Sequence, residues 1–356
     1  MVKKPHISIV FNEPTIETAE GRKYLSEWGY ADSYEAAKAK GHVDLSEVGV
    51  VETKEDVESA LKGLGFETSI FNMSNNVERL LGFIKTSKPD LIFNLVESLG
   101  DQAIHEMHVA GIYEVMGIPY TGSAPLALGT CLNKARTKEL LTFHRIATPQ
   151  FKMCSTMRDV NAINLPFPLF VKPAKEDASV GIDNSSIVRS PSALRKRVKY
   201  VFEKFSQPAL VEQYIEGREL NVSVIGNENP IILPISEIDF SGLPSEYPKI
   251  VTYSAKWMNG TIEFEGTKGV CPATLSPKVE KKVKDVALRT YQIMGCRDYA
   301  RVDIRLTHGG KPYVIEINPN PDISTDSGFM RSSRTYGFSF HEIIGTIVNY
   351  ALKRSA

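Results

Sequence analysis

The stretch "YARVDIRLTHGGKPYVIEINPNPD", residues 299–322, predicts a β-hairpin with one polar and one apolar face. Two runs of alternating polar and apolar residues flank "THGGK", and a Gly-Gly pair is a common hairpin turn. Strand side chains alternate between the two faces of a sheet, so each strand should divide its residues between them. The polar face is expected to hold Arg301, Asp303, Arg305, Glu316 and Asn318, and the apolar face Val302, Ile304, Leu306, Tyr313, Ile315 and Ile317.

The polar face of this hairpin carries two carboxylates on neighbouring strands. Asp303 and Glu316 would repel each other unless a cation lay between them. Mg²⁺ binds a few carboxylate oxygens together with phosphate oxygens and water, and Arg301 could hold a transferring phosphate or a developing oxyanion. The alternative is a solvated face with incidental ion pairs. The fixed corner "EINPNPD" favours the metal site, since surface strands rarely need one.

The composition argues against several classes of protein. The chain has 356 residues with 42 Lys+Arg and 42 Asp+Glu, a length typical of two or three domains. A formal charge of zero argues against a nucleic-acid-binding protein, and no apolar run approaches the roughly 18–20 residues of a membrane span. The four cysteines are scattered, as is typical of a reducing compartment. We therefore expect a cytoplasmic globular protein with no nucleic-acid or membrane partner.

The first part of the chain predicts an open α/β domain. "HISIVF" and "PDLIFNLV" have the length and flanking residues of buried strands, and the first run is too short for a signal peptide. Between them "TKEDVESALKGLG" has helical spacing, with Thr53 at the expected N-cap and Asp56 three residues later. A strand–helix–strand order indicates a parallel sheet. Residues 15–50 do not fit this order and are interpreted as an inserted helical excursion.

After residue 150 the pattern predicts α+β architecture. Strands are predicted at "LFVKPA", "IVRS", "ALVEQYI" and "ELNVSVIG". Helices are predicted at "PSALRKRVKYVFEKF", "SPKVEKKVKDVALRTYQIMG" and "SFHEIIGTIVNYALKR". The turn-rich segment around residues 119–135 is the expected join to the first domain.

The stretch "PLFVKPAKEDASVGID", residues 168–183, ends a short strand on a lysine and continues into a loop of small residues. Lys172 offers a single positive charge, which commonly binds a phosphate. The loop over residues 178–181 is small enough for backbone N–H groups to approach phosphate oxygens. The alternative is an ordinary turn beside a surface lysine, and Lys134 in "LGTCLNKART" by itself resembles a surface helix lysine.

The stretch "ALVEQYIEGRELNVSV", residues 209–224, places two glutamates at a strand-to-strand hinge. Glu212 ends one strand, and Glu219 precedes the next after a turn at Gly217. Carboxylates at such a hinge can bind ribose hydroxyls, while the hinge backbone can contact an adenine edge. The alternative is a pair of exposed glutamates in a linker.

Seven stretches, taken in this order, resemble the ATP-grasp superfamily and, within it, the D-alanine–D-alanine ligase group. They extend from about residue 90 to 342 and read "MGIPYTGS", "CLNKARTKELL", "FVKPAKEDASVGI", "LVEQYIEGRELNVSV", "CPATL", "MGCRDYARVDIRL" and "YVIEINPNPDIS". The resemblance implies an α/β and α+β fold of three domains, with an N-terminal open sheet over 1–128 and two α+β domains over 129–214 and 215–356. ATP would lie between the last two domains. It would phosphorylate a carboxylate, and an amine would attack the acyl phosphate to form an amide.

The resemblance also implies roles for individual residues. Those expected to bind ATP are Lys134, Lys172, the lid-loop residues Ser179, Val180 and Gly181, the hinge residues Glu212, Gln213 and Ile215, and Glu219 at the ribose. Those expected to bind magnesium, or alternatively manganese, are Asp303, Glu316 and Asn318. Arg301 would stabilise the tetrahedral intermediate, and Lys256 and Ser327 would hold the second substrate.

The positions that contact the amino acids in this group differ here. The lid-loop serine of the group is replaced by Ala178, a tyrosine by Trp257 and a glycine by Asp322. Glu13 and Glu97 are further candidates, with Trp257 and Asp322, for contacting the substrate. These differences favour a carboxylate–amine ligase for other amino acids or a small amino-acid conjugate, with a D-alanine–D-alanine ligase proper as an alternative.

Two further readings remain open at this point. One is a catalytically idle nucleotide-binding or sensing module of the same fold, although the presence of Arg301 and both predicted magnesium carboxylates favours an enzyme. The other is a kinase, which would not need the amine-binding residues Lys256 and Ser327. The resemblance also implies a homodimer.

Overall fold

The computed structural model of the protein describes residues 4–18, 21–24, 49–100 and 102–355. Three main β-sheets follow one another along the chain, together with a two-stranded hairpin. Within the described ranges, no helix is long and apolar enough to cross a membrane.

The first sheet is parallel, as the strand–helix–strand order predicts, and its strand order is β4-β1-β5. The strands of this part are β1 (His6–Phe11), β2 (Thr15–Thr18), β3 (Gly21–Tyr24), β4 (Glu67–Asn72) and β5 (Leu91–Leu95). The helices are α1 (Val50–Gly63), α2 (Val77–Ser87) and α3 (His105–Val115). Each residue of β5 is buried, which explains why four of its five residues are apolar.

Helix α1 begins three residues before the predicted N-cap. Its N-cap is Gly49, and Thr53 lies inside the first turn with its hydroxyl donating to the Gly49 carbonyl at 2.9 Å. The predicted capping box at Thr53 is therefore wrong. A threonine hydroxyl can bond the carbonyl four residues earlier, so this residue is compatible with the helix interior.

The helical excursion predicted over residues 15–50 is wrong where the structure describes it before α1. Residues 15–18 and 21–24 pair as an antiparallel hairpin, β2 with β3. Alternating Thr, Ile, Glu and Thr in β2 suit a strand, since β-branched residues favour extended backbone. Residues 19–20 and 25–48 lie outside the described residues.

The second sheet is antiparallel, has the strand order β6-β9-β7-β8, and has its own core. It follows α4 (Pro125–Leu132) and α5 (Lys134–Phe143), and its strands are β6 (Phe151–Cys154), β7 (Leu169–Pro173), β8 (Ile187–Val188) and β9 (Ala209–Gln213). Helix α6 (Pro191–Phe205) lies between β8 and β9 in the chain. Leu194, Val198 and Val201 of α6 recur at helical spacing and pack against this sheet. Ser190 caps α6 by accepting the Ala193 N–H at 3.3 Å.

The third sheet has the order β13-β12-β10-β14-β15, with β11 beside β10. Its strands are β10 (Arg218–Ile225), β11 (Ile231–Ile232), β12 (Ser236–Asp239), β13 (Lys268–Val270), β14 (Tyr299–Leu306) and β15 (Pro312–Asn318). Its helices are α7 (Tyr253–Trp257), α8 (Ile262–Glu265), α9 (Pro277–Ile293), α10 (Gly328–Tyr336) and α11 (Phe340–Ser355). Val283, Ala287 and Tyr291, each one turn apart on α9, cover the apolar face of the predicted hairpin.

A β-bulge interrupts the predicted alternation of this hairpin. Asp303 lies opposite Glu316 as expected, but Ile304 then lies opposite Val314, so Ile315 is the extra residue. The apolar placement predicted for Tyr313 and Ile315 is therefore wrong. Tyr313 lies opposite Arg305, Ile315 lines a cavity, and Val314 is the buried residue.

The first and third sheets share one hydrophobic core. Ile343, Ile347 and Val348 of α11 pack with residues of the first sheet and α1, such as Ile9 and Leu61. The second sheet is outside this shared core. The three main sheets fall within the three predicted domain ranges, whose boundaries remain a proposal.

Asp298, just before β14, connects distant parts of the chain. The residue is fully buried, and its carboxylate accepts hydrogen bonds from the Gly122 N–H at 3.0 Å and the Asn227 amide at 3.1 Å. The Arg354 guanidinium of α11 also donates to it at 2.8 Å. One carboxylate therefore joins the end of the first domain, the third sheet and the last helix.

Candidate active site

A cavity of about 310 Å³ lies between the second and third sheets. It brings together most of the predicted site residues: Lys172, Ser179, Glu212, Gln213, Ile215, Glu219, Lys256, Trp257, Arg301, Asp303, Glu316, Asn318, Asp322 and Ser327. We call the part around Lys172, Glu212, Ile215 and Glu219 the hinge end, and the part around Lys256, Asp322, Ser327 and Arg331 the α10 end. The polar hairpin face lies between them.

The hairpin face places two carboxylates directly opposite each other on β14 and β15, at Asp303 and Glu316. Arg301 donates to both oxygens of Asp303 at 2.8 Å, and Asn221 and Asn318 donate to the same carboxylate at 2.7 and 3.1 Å. Burial favours the neutral form of Arg301, but Asp303 outweighs it and raises the arginine pKa. The arginine therefore remains charged beside the carboxylates.

Lys134 is buried at 5% exposure, so the surface position suggested by its local sequence is wrong. Its ammonium lies 2.6 Å from a Glu316 oxygen and 2.7 Å from an Asp177 oxygen. Although burial raises the pKa of Glu316, Lys134 and Lys172 lower it to about 2. A cation of the protein thus neutralises the second carboxylate of the hairpin. Lys134 is not among the residues that line the cavity.

The hinge end contains a carboxylate between two lysines. Lys172 lies 3.0 Å from one oxygen of Glu212, and Lys138 lies 2.6 Å from the other. Lys138, which the motifs did not single out, is 1% exposed and also donates to the Thr148 hydroxyl at 2.8 Å. Burial lowers the pKa of Lys138 to about 8, although Glu212 opposes the shift. Its position four residues after Lys134 on α5 could have placed it on the same buried face.

Glu219 is held by Arg305, which, like Lys138, the motifs did not identify. Arg305 donates to a Glu219 oxygen at 3.1 Å and to the Ile215 carbonyl at 3.0 Å. Both glutamates of the predicted hinge are therefore buried and ion-paired rather than exposed in a linker. Arg305 lies on the polar hairpin face as predicted, and it fixes the backbone of the hinge.

The loop after β7 is closed over the cavity by two hydrogen bonds. Trp257 donates its indole N–H to the Ala178 carbonyl at 2.9 Å, and the Ser179 hydroxyl donates to the Val251 carbonyl at 3.1 Å. Ala178 and Ser179 have φ of +53° and +64°, a left-handed conformation that is costly for residues with a side chain. Trp257 therefore anchors the lid, which the sequence motifs did not predict.

The other two predicted lid residues lie away from this cavity. Val180 lines a neighbouring cavity, and Gly181 lines neither. Gly181 has φ of +74°, and a Cβ there would lie 2.7 Å from Pro173 and 2.8 Å from Phe205. Its position behind the loop, against β7 and α6, requires a glycine.

The α10 end is formed by the start of α10 and by α7. Ser327 is the N-cap of α10, accepts the Met330 N–H at 3.3 Å and is 9% exposed. Burial lowers the pKa of Lys256, Arg301 adds to the effect, and nearby carboxylates such as Asp322 partly oppose it. Asp322 accepts two hydrogen bonds from Ser324, from its N–H at 2.8 Å and its hydroxyl at 2.9 Å.

A second cavity of about 210 Å³ shares Lys256, Trp257, Arg301 and Asp322 with the first. Glu97 lines this second cavity, whereas Glu13 lines neither cavity and accepts a hydrogen bond from Asn72 at 2.8 Å. Glu106, which the motifs did not identify, also lines it and accepts a hydrogen bond from Asn320 at 3.0 Å. Burial raises the pKa of Glu106 well above its ordinary value.

Known proteins resemble this chain over most of its length. The family described as "D-ala D-ala ligase C-terminus" matches residues 139–349, more than half of the chain. An uncharacterised Sinorhizobium fredii protein, y4sG, is 35% identical over 74% of this chain and 75% of its own. A D-alanine–D-alanine ligase of Carboxydothermus hydrogenoformans is 30% identical over 83% of this chain and 90% of its own.

A solved structure shows the same fold. The D-alanine–D-alanine ligase of Bacillus anthracis, determined in complex with ATP, superposes with a TM-score of 0.70 at 21% identity. The superposition covers 99% of this chain and 98% of the other. The expected ATP-grasp fold is therefore confirmed. The chain belongs to the D-alanine–D-alanine ligase family of ATP-grasp enzymes, whose members form carbon–nitrogen bonds.

Proposed function

We propose that the protein is an ATP-dependent ligase that joins a carboxylate to the amine of an amino-acid-like substrate through an acyl phosphate. The observation that carries this proposal is the hairpin face, where Asp303 lies opposite Glu316 beside Arg301. Lys134 and Lys172 supply further positive charge at the same place. Such a set of groups suits phosphoryl transfer, in which catalysis depends on positioning and on charge stabilisation.

The hinge end is the proposed site of the nucleotide. Glu212, Gln213 and Ile215 would place the hinge backbone along the adenine, and Glu219 would bind the ribose. Lys172 would contact the phosphates and the lid residue Ser179 would cover them, whereas Lys134 and Val180 do not line this cavity. Apolar residues such as Phe170 and Ile250 line this end and could pack against a base. The solved relative in complex with ATP supports this assignment.

The hairpin oxygens are the proposed ligands of a magnesium ion. In the described part of the chain no group of three or more His, Cys, Asp or Glu side chains could hold a metal by itself. Two carboxylates and the carboxamide of Asn318 are nevertheless the hard oxygen donors that Mg²⁺ uses when phosphate oxygens complete its ligands. When bound, Mg²⁺, or Mn²⁺ in its place, would supply positive charge to the triphosphate.

The chain's own groups can support both steps of the reaction. A substrate carboxylate oxygen attacks the γ-phosphorus of ATP, and ADP leaves with Lys172 near the phosphate charge. The amine nitrogen of the second substrate then attacks the acyl carbon, and Arg301 stabilises the resulting oxyanion. The amide forms as phosphate leaves and the amine loses a proton. The closed lid keeps water from hydrolysing the acyl phosphate.

The substrates are proposed to be amino acids other than a pair of D-alanines. Relatives bear the name D-alanine–D-alanine ligase, which supports an amino-acid substrate. Trp257 and Asp322 replace the tyrosine and glycine of that group, and Trp257 bonds the lid directly. Glu97 lines the cavity beside the reaction centre and could face a substrate ammonium group.

An isotope-transfer experiment tests the proposal. The protein is incubated with ATP, Mg²⁺ and a panel of D- and L-amino acids whose carboxylates carry ¹⁸O. Amide products are identified by mass, and the released phosphate is analysed for ¹⁸O. An acyl phosphate transfers one labelled oxygen to phosphate for each amide formed. Unlabelled phosphate would exclude that intermediate, and ATP binding without ADP release would indicate an idle module.

We also propose, from the family resemblance, that the protein forms a homodimer. Light scattering coupled to size-exclusion chromatography checks this, since a dimer has twice the mass of the 39.5 kDa chain. A single monomeric species at micromolar concentration would contradict it.

A further inference from the structure

The α10 end of the cavity holds two cations without a carboxylate partner. Lys256 and Arg331 both line the cavity, and neither makes an ion pair within the described part of the chain. The cations around the hairpin face, by contrast, are each bonded to Asp or Glu. Partly buried cations without a partner favour an anion from outside the chain.

Arg331 is held in a defined place. Its guanidinium donates to the Ser236 hydroxyl at 2.9 Å and to the Asp326 carbonyl at 3.4 Å. A Cβ on Gly269 would lie only 1.9 Å from the Arg331 Cζ, so the guanidinium lies against the bare backbone of β13. Any larger residue at position 269 would displace the arginine.

The charges around Arg331 favour an anion. Asp322 and Asp326 are nearby, but both accept hydrogen bonds from Ser324, at 2.8 and 3.2 Å, and so help to fix the turn before α10. Burial lowers the pKa of Arg331, Cys271 and Asp326 partly oppose this, and Arg334 and Arg301 add to it. The neighbouring arginines therefore raise the local positive potential, and the guanidinium still stays charged at neutral pH.

We propose that the α10 end selects an amine substrate with two carboxylates, a dicarboxylic amino acid such as aspartate or glutamate. Lys256 and Ser327 hold one carboxylate, and Arg331 holds the other. Ser327 and Arg331 are four residues apart at the start of one helix, hence about one turn or roughly 5–6 Å apart on the same face. A short dicarboxylic amino acid spans a comparable distance. This inference rests on the proposed ligase function, which supplies the reaction of the amine.

The kinetic test compares acceptors on the wild-type protein and on Arg331→Gln. Initial rates of amide formation are measured with aspartate, glutamate, alanine and serine, each as both enantiomers. Losing one charge-assisted contact should raise KM for the dicarboxylic acceptor about 10- to 100-fold and change KM for ATP less than about twofold. Arg195→Gln is the matched control, because it removes an exposed arginine of α6 that lines neither cavity. It should leave both constants unchanged.

A binding measurement separates this inference from the ligase proposal. Glutamate and aspartate are titrated calorimetrically into the protein with Mg²⁺ and a non-hydrolysable ATP analogue. Arg331→Gln and Gly269→Ala should both lose this binding. If the wild-type protein binds a dicarboxylic amino acid but forms no amide with any amino acid, only the ligase proposal is refuted. A wild-type preference for alanine, or equal weakening of alanine and glutamate by Arg331→Gln, overturns the inference and leaves ligation intact. If the wild-type protein neither binds a dicarboxylic amino acid nor forms an amide, both proposals fall.

Discussion

The two ends of the cavity differ in how their charges are balanced. At the hinge end and on the hairpin face, Glu212 lies between two lysines, and Lys134 bonds Glu316. At the α10 end, Lys256 and Arg331 have no ionic partner within the described residues. A charge that is paired within the protein must exchange its partner when a ligand binds, whereas an unpaired charge can bind an anion directly.

This difference indicates how the two ends could contribute to specificity. The ion pairs of the network hold its side chains in place before a ligand arrives. Removing one partner would leave a buried charge uncompensated, which is strongly destabilising. The α10 end is the part where a substitution can alter the substrate without unbalancing a buried network.

The largest effect is expected from removing charge on the hairpin face. Glu316→Gln and Asp303→Asn keep the size of the side chains but remove the proposed metal ligands. Loss of several kcal/mol of charge stabilisation corresponds to a fall in kcat of about 10³-fold or more. The measurement is ADP release with magnesium at saturating ATP.

The control for these variants is Glu280→Gln. Glu280 lies on α9 and, among the residues that the structure describes, forms an ion pair only with Lys284 of the same helix, at 2.6 Å. This change should leave turnover unaffected, and circular dichroism should show that all three variants are folded. Turnover within tenfold of the wild-type value in both hairpin variants would refute the metal assignment.

A smaller effect, on stability, is expected from Lys138→Met. The folded protein releases the Lys138 proton near pH 8, whereas the unfolded chain keeps it to about 10.5. The unfolded state therefore binds more protons in this window, and the free energy of unfolding rises with pH. Between pH 8 and 9.5 the wild-type protein should gain about 1–2 kcal/mol relative to the variant. Urea unfolding at both pH values measures this, and a pH-independent difference between the two proteins would contradict it.

The smallest effect is expected at the lid, between the two ends. Trp257→Phe removes the hydrogen bond to the Ala178 carbonyl but keeps an aromatic ring. Loss of about 0.5–1.5 kcal/mol should change the ratio of amide to ADP by roughly two- to tenfold, as water enters the loosened site. Tyr313→Phe, outside both cavities, is the control. An unchanged ratio in Trp257→Phe would show that the indole does not hold the lid.

The polar face of the hairpin could be predicted because successive side chains of a strand alternate between its two faces, which is a local property of the sequence. Alternation placed Arg301, Asp303 and Glu316 on one face, and the Gly-Gly turn set their register. The bulge at Ile315 could not be predicted, because one extra residue leaves no mark on an apolar run such as Tyr-Val-Ile. The bulge places Val314 in the core with α9 and leaves Ile315 lining the cavity, and both positions are visible only in the packed fold.

The buried ionic network was harder to predict than the motifs. Lys138 and Arg305 read as ordinary polar residues of a helix and a strand, and only the fold shows that each contacts a glutamate of the hinge. Trp257 was assigned to the substrate, whereas its indole bonds the lid and so joins α7 to a loop 79 residues earlier. Long-range contacts of this kind have no local signature.

The shared core of the first and third sheets has a mechanical consequence. Asp298 and α11 join these two sheets, whereas the second sheet has a separate core. We expect the second sheet to rotate away from the other two sheets when nucleotide enters, and to carry Lys172 and the lid with it. The cavity would then close around the reactants by movement of the second sheet alone, while the hairpin groups stay in place throughout the cycle.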